Sequence, residues 1–333
     1  MLMFASLLGM VAVGAAAFVG FQPVEPETEN DIDESEHDTP EPDLIGRLFG
    51  PESSAAPLGS GDIISGTPGA EAISGTAAGD QINGLDSDDT ISGGAGDDAL
   101  YGGRGNDWIS GDTGADILHG GDGWDTLFGG AGADTLYGHN DADDLSGGDG
   151  DDSLVGGAGN DILRGEAGDD ALHGGLADDT LHGGLGRDAL FGGWGDDVIV
   201  GLVDDPATSA LDDIDDADFL NGGPGDDLIL AGQGDLVDTG EGADTVMVGD
   251  WISGDLAVEI LDFHPEEDRL IVFYDAQRGG DPHLSLDFGT EDGTAQTLLL
   301  NGVPIATIAN APSLTLDHIS LLPREALPVI RGL

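Results

Sequence analysis

The sequence predicts an all-β solenoid built from short repeats, and three observations support that fold class. Between Pro57 and Val200 the chain divides into sixteen consecutive nine-residue units without an insertion or deletion. Each unit ends in a segment x-U-x, where U is a large aliphatic residue, and in a strand this middle side chain faces away from its two neighbours. Glycine supplies 59 of the 333 residues, as expected for a chain with many tight turns. A fixed short period of this kind indicates a stack of similar units.

The repeat follows the pattern G-G-x-G-x-D-x-U-x, which eight of the sixteen units match in full. A ninth full match begins at Gly222, after an interruption at 201–221, and a looser copy begins at Thr239. The sixth position is acidic in every copy, and the eighth is always Ile, Leu or Val. We predict that sixth-position aspartates are metal ligands, and the candidates are Asp80, Asp89, Asp98, Asp107, Asp116, Asp125, Asp134, Asp143, Asp152, Asp161, Asp170, Asp179, Asp188, Asp197, Asp227 and Asp244.

The turn chemistry indicates which metal these aspartates would bind. Glycines at positions one, two and four permit backbone conformations that are closed to residues with a Cβ, so each unit can turn sharply. A turn of this kind directs several carbonyl oxygens inward, next to the carboxylate of position six. Carboxylate and carbonyl oxygens together suit calcium, a hard cation that takes six to eight oxygen ligands. Magnesium demands tighter octahedral geometry and usually keeps its waters, so it fits this arrangement less well.

These units resemble the nonapeptide repeats of the RTX (repeats-in-toxin) calcium-binding proteins. The resemblance implies a parallel β-roll in which two nonapeptides complete one coil of eighteen residues, with calcium between turns stacked on the same edge. Sixteen repeats form fourteen same-edge pairs, which would hold up to about fourteen calcium ions. The first four units lack the double glycine, and Glu71 takes the sixth position of the second. Asp141 and Ala177 replace fourth-position glycines, so the sites at Asp143 and Asp179 depart from the family pattern.

The charge of the chain excludes several classes of function. There are 67 acidic residues against eight arginines and no lysine, which gives a formal net charge of −59. Eight scattered arginines cannot form the basic face of a nucleic-acid-binding protein, and a phosphate-binding P-loop requires its lysine. Without cysteine, disulfides and cysteine-bound zinc are excluded. A compact state of such a chain requires counter-charge, for which multivalent cations are the natural source.

Two segments precede the repeats. Residues 1–22 are almost wholly apolar, and the uncharged run 1–21 is long enough to cross a bilayer as a helix. We interpret this segment as a membrane anchor or an export signal, although no Lys or Arg precedes it; a buried element is the third alternative. Residues 23–56 follow as a disordered linker, because 23–43 alone contain ten acidic side chains and four prolines.

The segment 248–333, after the roll of 57–247, has lower glycine density and predicts a β-rich cap. Its candidate strands are 256–263, 269–274, 283–287, 296–300, 303–308 and 314–321. The dipeptide Asn301-Gly302 between two apolar runs predicts a tight hairpin. A cap is expected because an open solenoid end exposes strand edges and core. In the RTX family, similar tails also lie near a type I secretion signal.

One face of the predicted roll differs from the other. In the odd-numbered repeats, the outward ninth position carries a column of large side chains, namely Tyr101, His119, Tyr137, Val155, His173 and Phe191. The column is explained either by cross-strand stacking or by contact with the C-terminal segment or a protein partner.

The function predicted from these features is that of an extracellular, non-enzymatic calcium-binding protein that folds when calcium binds after export. No catalytic residue is predicted, because H-E-x-x-H and G-x-S-x-G are absent and no segment is long enough for a separate catalytic domain. One alternative is a cell-surface structural or adhesive protein anchored by residues 1–21. Another is a secretion module of a hydrolase. The partners expected are calcium ions, a membrane through residues 1–21, and a protein or surface on the aromatic column, with no nucleic acid.

Overall fold

A computed structural model describes residues 61–203, 213–252, 256–277, 280–288 and 295–327. Within them the protein is all-β, as predicted, with twenty-six strands in two sheets and two short 3-10 helices at Leu316–His318 and Arg324–Ala326. No helix of these ranges is long and apolar enough to cross a membrane. The predictions for 1–22 and 23–56 concern residues outside the described ranges.

The first sheet has fourteen strands. In spatial order they are β1 (Ile63–Ser65), β3 (Gln81–Asp86), β5 (Ala99–Arg104), β7 (Ile117–Asp122), β9 (Thr135–Asn140), β11 (Ser153–Ala158), β13 (Ala171–Leu176), β15 (Ala189–Trp194), β17 (Phe219–Pro224), β19 (Leu236–Glu241), β21 (Val258–Ile260), β25 (Val303–Ala309), β24 (Ala295–Leu300) and β23 (Leu284–Phe288).

The second sheet has twelve strands. They are β2 (Ala72–Ser74), β4 (Thr90–Ala95), β6 (Trp108–Thr113), β8 (Thr126–Ala131), β10 (Asp144–Asp149), β12 (Ile162–Ala167), β14 (Thr180–Leu185), β16 (Val198–Val200), β18 (Leu228–Leu230), β20 (Thr245–Gly249), β22 (Arg269–Tyr274) and β26 (Ile319–Pro323).

Alternation of the chain between the two sheets produces a parallel β-roll of about ten turns. Each strand of the repeat region pairs in parallel with the strand two positions along the chain, and Leu100 lies beside Leu118, eighteen residues later. The fold class and the eighteen-residue coil are therefore confirmed. The eighth-position aliphatic residues face the interior between the sheets, where Leu100 and Leu145 are fully buried. This double column of branched side chains forms the hydrophobic core.

Most repeat strands are six residues long, twice the length of the x-U-x segment of the sequence pattern. In β3 and β5 the pairing continues past the outward residue, so that Leu85 lies beside Gly103 and Asp86 beside Arg104. Gly103 has a φ of 117°, and a Cβ there would collide with the carbonyl oxygen of Leu85. The glycines therefore serve two purposes, since they turn the chain and also let adjacent coils approach within hydrogen-bonding distance.

Beyond the repeats, β21 and β22 continue the two sheets in parallel. β24 and β25 then form the predicted antiparallel hairpin, in which Asn301 and Gly302 have φ values of 55° and 83°. Both residues of this two-residue turn are left-handed, which is the reason for the Asn-Gly preference. The sixth candidate strand, 314–321, is instead a 3-10 turn at Leu316–His318 followed by β26, because Leu314 and His318 N–H groups bond to the carbonyls three residues earlier.

Candidate metal centre

The sixth-position acids form two rows, one along each edge of the roll, and every member of these rows except Glu71 is buried. The first row contains Asp80, Asp98, Asp116, Asp134, Asp152, Asp170, Asp188, Asp218 and Asp235, and the second contains Glu71, Asp89, Asp107, Asp125, Asp143, Asp161, Asp179, Asp197, Asp227, Asp244 and Asp268. Every predicted ligand belongs to one of them, and each is at most 3% exposed.

Within each row the carboxylates are held by a continuous hydrogen-bond ladder. The backbone N–H of Asp116 donates to Oδ1 of Asp134 at 2.8 Å, and the N–H of Asp134 donates in turn to Oδ1 of Asp152 at 2.8 Å. The Asp116 carbonyl also accepts a bond from the Thr135 N–H at 2.8 Å. Because one oxygen of each carboxylate is bound in this way, the direction of the second oxygen is determined by the backbone.

The second carboxylate oxygen is buried and, among the described residues, has no hydrogen-bond partner. This holds for Oδ2 of Asp89, Asp98, Asp107, Asp116, Asp125, Asp134, Asp143, Asp152, Asp161, Asp170, Asp179, Asp188, Asp197, Asp218, Asp227 and Asp244. A buried polar group without a partner is costly, and a buried charge more so. These unsatisfied oxygens have the chemistry of cation ligands.

The space beside each Oδ2 is lined by oxygen atoms that can act as metal ligands. A Cβ placed on Gly129 would lie 2.5 Å from Oδ2 of Asp134 and 2.6 Å from the carbonyl oxygen of Gly147. The same relationship, between a first-position glycine, its own Asp and the next glycine on that edge, recurs at Gly156. Carboxylate and carbonyl oxygens that converge on one small space form the donor set that calcium takes in proteins.

Burial changes the acidity of the rows. Desolvation by burial raises the pKa of Asp143 and of Asp179 to about 8, against the lowering effect of the ladder hydrogen bonds, and neighbouring carboxylates raise it further. The pKa of Asp125 rises to about 7 from the same causes. Without metal, Asp143 and Asp179 therefore hold protons at neutral pH that a bound cation would displace.

The row ends differ from the row interiors. Oδ2 of Asp80 accepts the N–H of Thr76 at 2.5 Å, and Glu71 accepts the N–H of Thr67 at 2.6 Å. At the other end, Asp235 accepts the N–H of Gly232 at 2.6 Å. These end carboxylates are satisfied by their own turns. Asp80 is thus the one predicted ligand of the first row whose second oxygen is already occupied by the protein.

Asp143 and Asp179, whose turns lack a fourth-position glycine, keep the geometry of the rows. Asp141 and Ala177 adopt left-handed φ values of 68° and 79° in place of glycine. The ladder bonds continue through both sites at 2.8 Å. The turn is therefore retained at the cost of local backbone strain.

The repeat pattern does not identify three members of the rows. Asp218, Asp235 and Asp268 are buried in line with the others, but their turns lack the G-G-x-G pattern. Asp218 lies within the predicted interruption at 201–221. The signal that identifies them is an Asp followed two residues later by a buried aliphatic residue, here Leu220, Val237 and Leu270.

The acids at the fifth position of the repeat, which precede the sixth-position aspartates, have a separate structural role. The Ala115 N–H donates to Oδ1 of exposed Asp97 at 3.0 Å, and the Asp169 N–H donates to Oδ1 of Asp151 at 3.0 Å. These side chains form an outer ladder between coils. A paired-carboxylate arrangement for catalysis is thus not favoured, because each acid of a pair bonds to a different neighbouring turn.

The outward aromatic column stacks along the first sheet. His119 lies between Tyr101 and Tyr137, with ring centroids 4.8 Å apart on each side. His139, which does not belong to the predicted column, places Nε2 2.8 Å from Nδ1 of His119. The rings of His173 and Phe191 stack at 6.3 Å. Cross-strand stacking therefore occurs, whereas a partner on this face stays a prediction.

The repeat region matches one family of known proteins. The family model for the RTX calcium-binding nonapeptide repeat, which spans four copies, matches overlapping segments that together cover residues 65–205 and 214–246. No match is found among curated proteins. One solved structure with a similar sequence is the solution structure of the AlgE6R3 subunit from the Azotobacter vinelandii mannuronan C5-epimerase. It is 26% identical, covers 44% of this chain and 79% of its own, and superposes with a TM-score of 0.23.

Proposed function

The chain belongs to the RTX calcium-binding nonapeptide repeat family, and from this membership we propose that it is an extracellular, non-enzymatic calcium-binding protein whose roll folds when calcium fills its aspartate rows. Sixth-position carboxylates and turn carbonyls would hold the ions between stacked coils. The sixth-position aspartates from Asp89 to Asp197, together with Asp227 and Asp244, would supply the carboxylates.

The observation that carries this proposal is the series of buried Oδ2 atoms without a hydrogen-bond partner in the described part of the chain. An ionised carboxylate buried without compensation costs on the order of several kcal/mol. The summed cost of sixteen such groups exceeds the free energy of folding of an ordinary domain, which is about 5–15 kcal/mol. At a pH where the rows are ionised, the roll therefore requires counter-ions, and divalent cations supply two charges per site.

Calcium binding and folding would then be a single equilibrium. The two rows exist only when the coils are stacked, so the unfolded chain has no preformed site, and binding free energy becomes folding free energy. This coupling suits a chain that is exported unfolded into a calcium-rich medium. It also explains why a chain with a net charge of −59 has a well-formed aliphatic core.

Circular dichroism of the full chain at pH 8 tests the proposal. In chelator the spectrum should be that of a largely unfolded chain, and millimolar calcium should convert it cooperatively to β-structure. Magnesium at the same concentration should leave it largely unfolded, because magnesium prefers a tighter octahedral shell. A complete β spectrum in chelator at this pH would contradict the coupling, and equilibrium dialysis would then show whether calcium binds at all.

A further inference from the structure

The turn that precedes β17 departs from every regular turn of the roll. Residues 213–218 contain four aspartates and no glycine, and Asp215 occupies the third position of this unit. The turn is tied to the roll at its start by Asp213, which is 7% exposed and accepts the Val203 N–H at 3.2 Å and the Gln233 N–H. The turn that carries Asp215 is therefore held against the roll by hydrogen bonds.

In regular turns, the N–H of the fourth-position glycine donates to a backbone carbonyl one coil later. Gly150 donates to the Ala167 carbonyl at 2.7 Å, and Gly168 donates to the Leu185 carbonyl at 2.8 Å. The corresponding N–H of Gly186 instead donates to the side-chain Oδ1 of Asp215 at 2.7 Å. A carboxylate thus takes the place of a carbonyl, which adds one negative charge and one further oxygen to this turn.

The Asp215 carboxylate lies beside the first aspartate row. Oδ2 of Asp215 is buried, as are Oδ2 of Asp188 and Oδ2 of Asp218, and none of the three has a hydrogen-bond partner within the described residues. Asp188 and Asp218 are 3% and 2% exposed. The three residues each offer one carboxylate oxygen, and these three oxygens lie within 4.8 Å of one another.

We propose that Asp188, Asp215 and Asp218 form a three-carboxylate cation site that differs from every regular site of the roll. The inference rests on the proposed calcium-binding function, since Asp188 and Asp218 also belong to the first row. Its ligand is a hard cation with oxygen coordination, calcium in the extracellular medium. Because affinity rises with the charge of the ligand set, this is the tightest site of the first row. The ion joins the coils on either side of the insertion, where the regular repeat is broken.

Calcium titration of the full chain by isothermal calorimetry, together with terbium(III) as a luminescent probe, tests the site. Asp215→Asn removes the charge but keeps an oxygen that can accept the Gly186 N–H. We expect the tightest binding step to weaken by about tenfold, with the remaining steps unchanged. Asp216→Asn is the matched control, because Asp216 is the exposed neighbour of Asp215, and it should titrate as the native protein does.

Asp215→Glu adds a test that does not depend on the Asn variant folding. It retains the carboxylate and should retain the tight step within about threefold. The proposal is overturned if Asp215→Asn titrates like the native chain, or if the Asn and Glu variants lose the tight step equally. Native protein that binds no calcium would remove the proposed function as well, whereas native binding with an unaltered Asp215→Asn titration removes this inference alone.

Discussion

The backbone N–H of Asp143 donates a 2.8 Å hydrogen bond to Oδ1 of Asp161, while Oδ2 of Asp161 is buried without a partner in the described part of the chain. One oxygen thus holds adjacent coils together, and the other carries a charge that the protein does not compensate. The hydrogen bond to Oδ1 stabilises the roll with or without metal. The charge on Oδ2 stabilises the roll only when a cation is bound.

Acid should substitute for calcium. Burial raises the pKa of Asp143 and Asp179 to about 8 in the metal-free roll, above the ordinary value of 3.8, so the folded state binds more protons than the unfolded state. Stability of the metal-free roll therefore falls as pH rises from about 4 to about 8. Circular dichroism in chelator should show β-structure at pH 5 and its loss at pH 8.5, and a spectrum independent of pH would contradict this.

Removal of one buried carboxylate should have opposite effects with and without calcium. Asp161→Asn eliminates a charge that is uncompensated without metal. In chelator at pH 6.5, where the metal-free roll still has β-structure, it should raise the free energy of unfolding by about 1–3 kcal/mol and therefore raise the melting temperature. In saturating calcium the same variant loses a ligand and should melt lower than the native chain. Asp149→Asn, at an exposed position, is the control and should change neither melt appreciably. Two shifts of the same sign for Asp161→Asn would exclude a ligand role.

Close approach of the coils makes the second-position glycines intolerant of a side chain. Gly103→Ala places a Cβ against the Leu85 carbonyl at a φ of 117°, so it should destabilise the calcium-loaded roll by about 3 kcal/mol or more. Gly302→Ala is the comparison, since its φ is 83° but no atom lies within 4 Å of the added Cβ. It should cost only the backbone term, about 1 kcal/mol. Equal losses in calcium-saturated thermal melts would show that inter-coil contact is irrelevant.

The pKa of His119 in the aromatic column should depend on its neighbour His139. Burial, and then the neighbouring His139, lower the pKa of His119 below its ordinary value. His139→Gly restores the consensus glycine at a position where φ is 84° and removes the neighbouring imidazole. Proton NMR titration of His119 should then give a higher pKa, and the variant should be no less stable. An unchanged His119 pKa would mean that the 2.8 Å contact does not persist in solution.

The nonapeptide period predicted the fold and most members of the rows because each unit specifies its own strand, turn and buried carboxylate. Position eight supplies a buried aliphatic residue, position six an acid, and the glycines a turn, so that reading nine residues is enough to place Leu145 in the core and Asp143 in a row. The six-residue strands were not predictable in this way. Their extra pairs, such as Leu85 with Gly103, depend on contact between coils eighteen residues apart.

By itself the sequence determined the all-β class, the period of the coil, the hairpin at Asn301 and Gly302, and sixteen of the buried carboxylates, since all of these follow from residues that are close together in the chain. Only the tertiary structure decided which carboxylates are satisfied by their own turns, that Asp218, Asp235 and Asp268 extend the rows, and that Asp215 lies beside Asp188 across the insertion. The physical reason is that sheet pairing, and not glycine content, sets the register of irregular turns, and that the cost of a buried charge depends on neighbours that are distant in the chain.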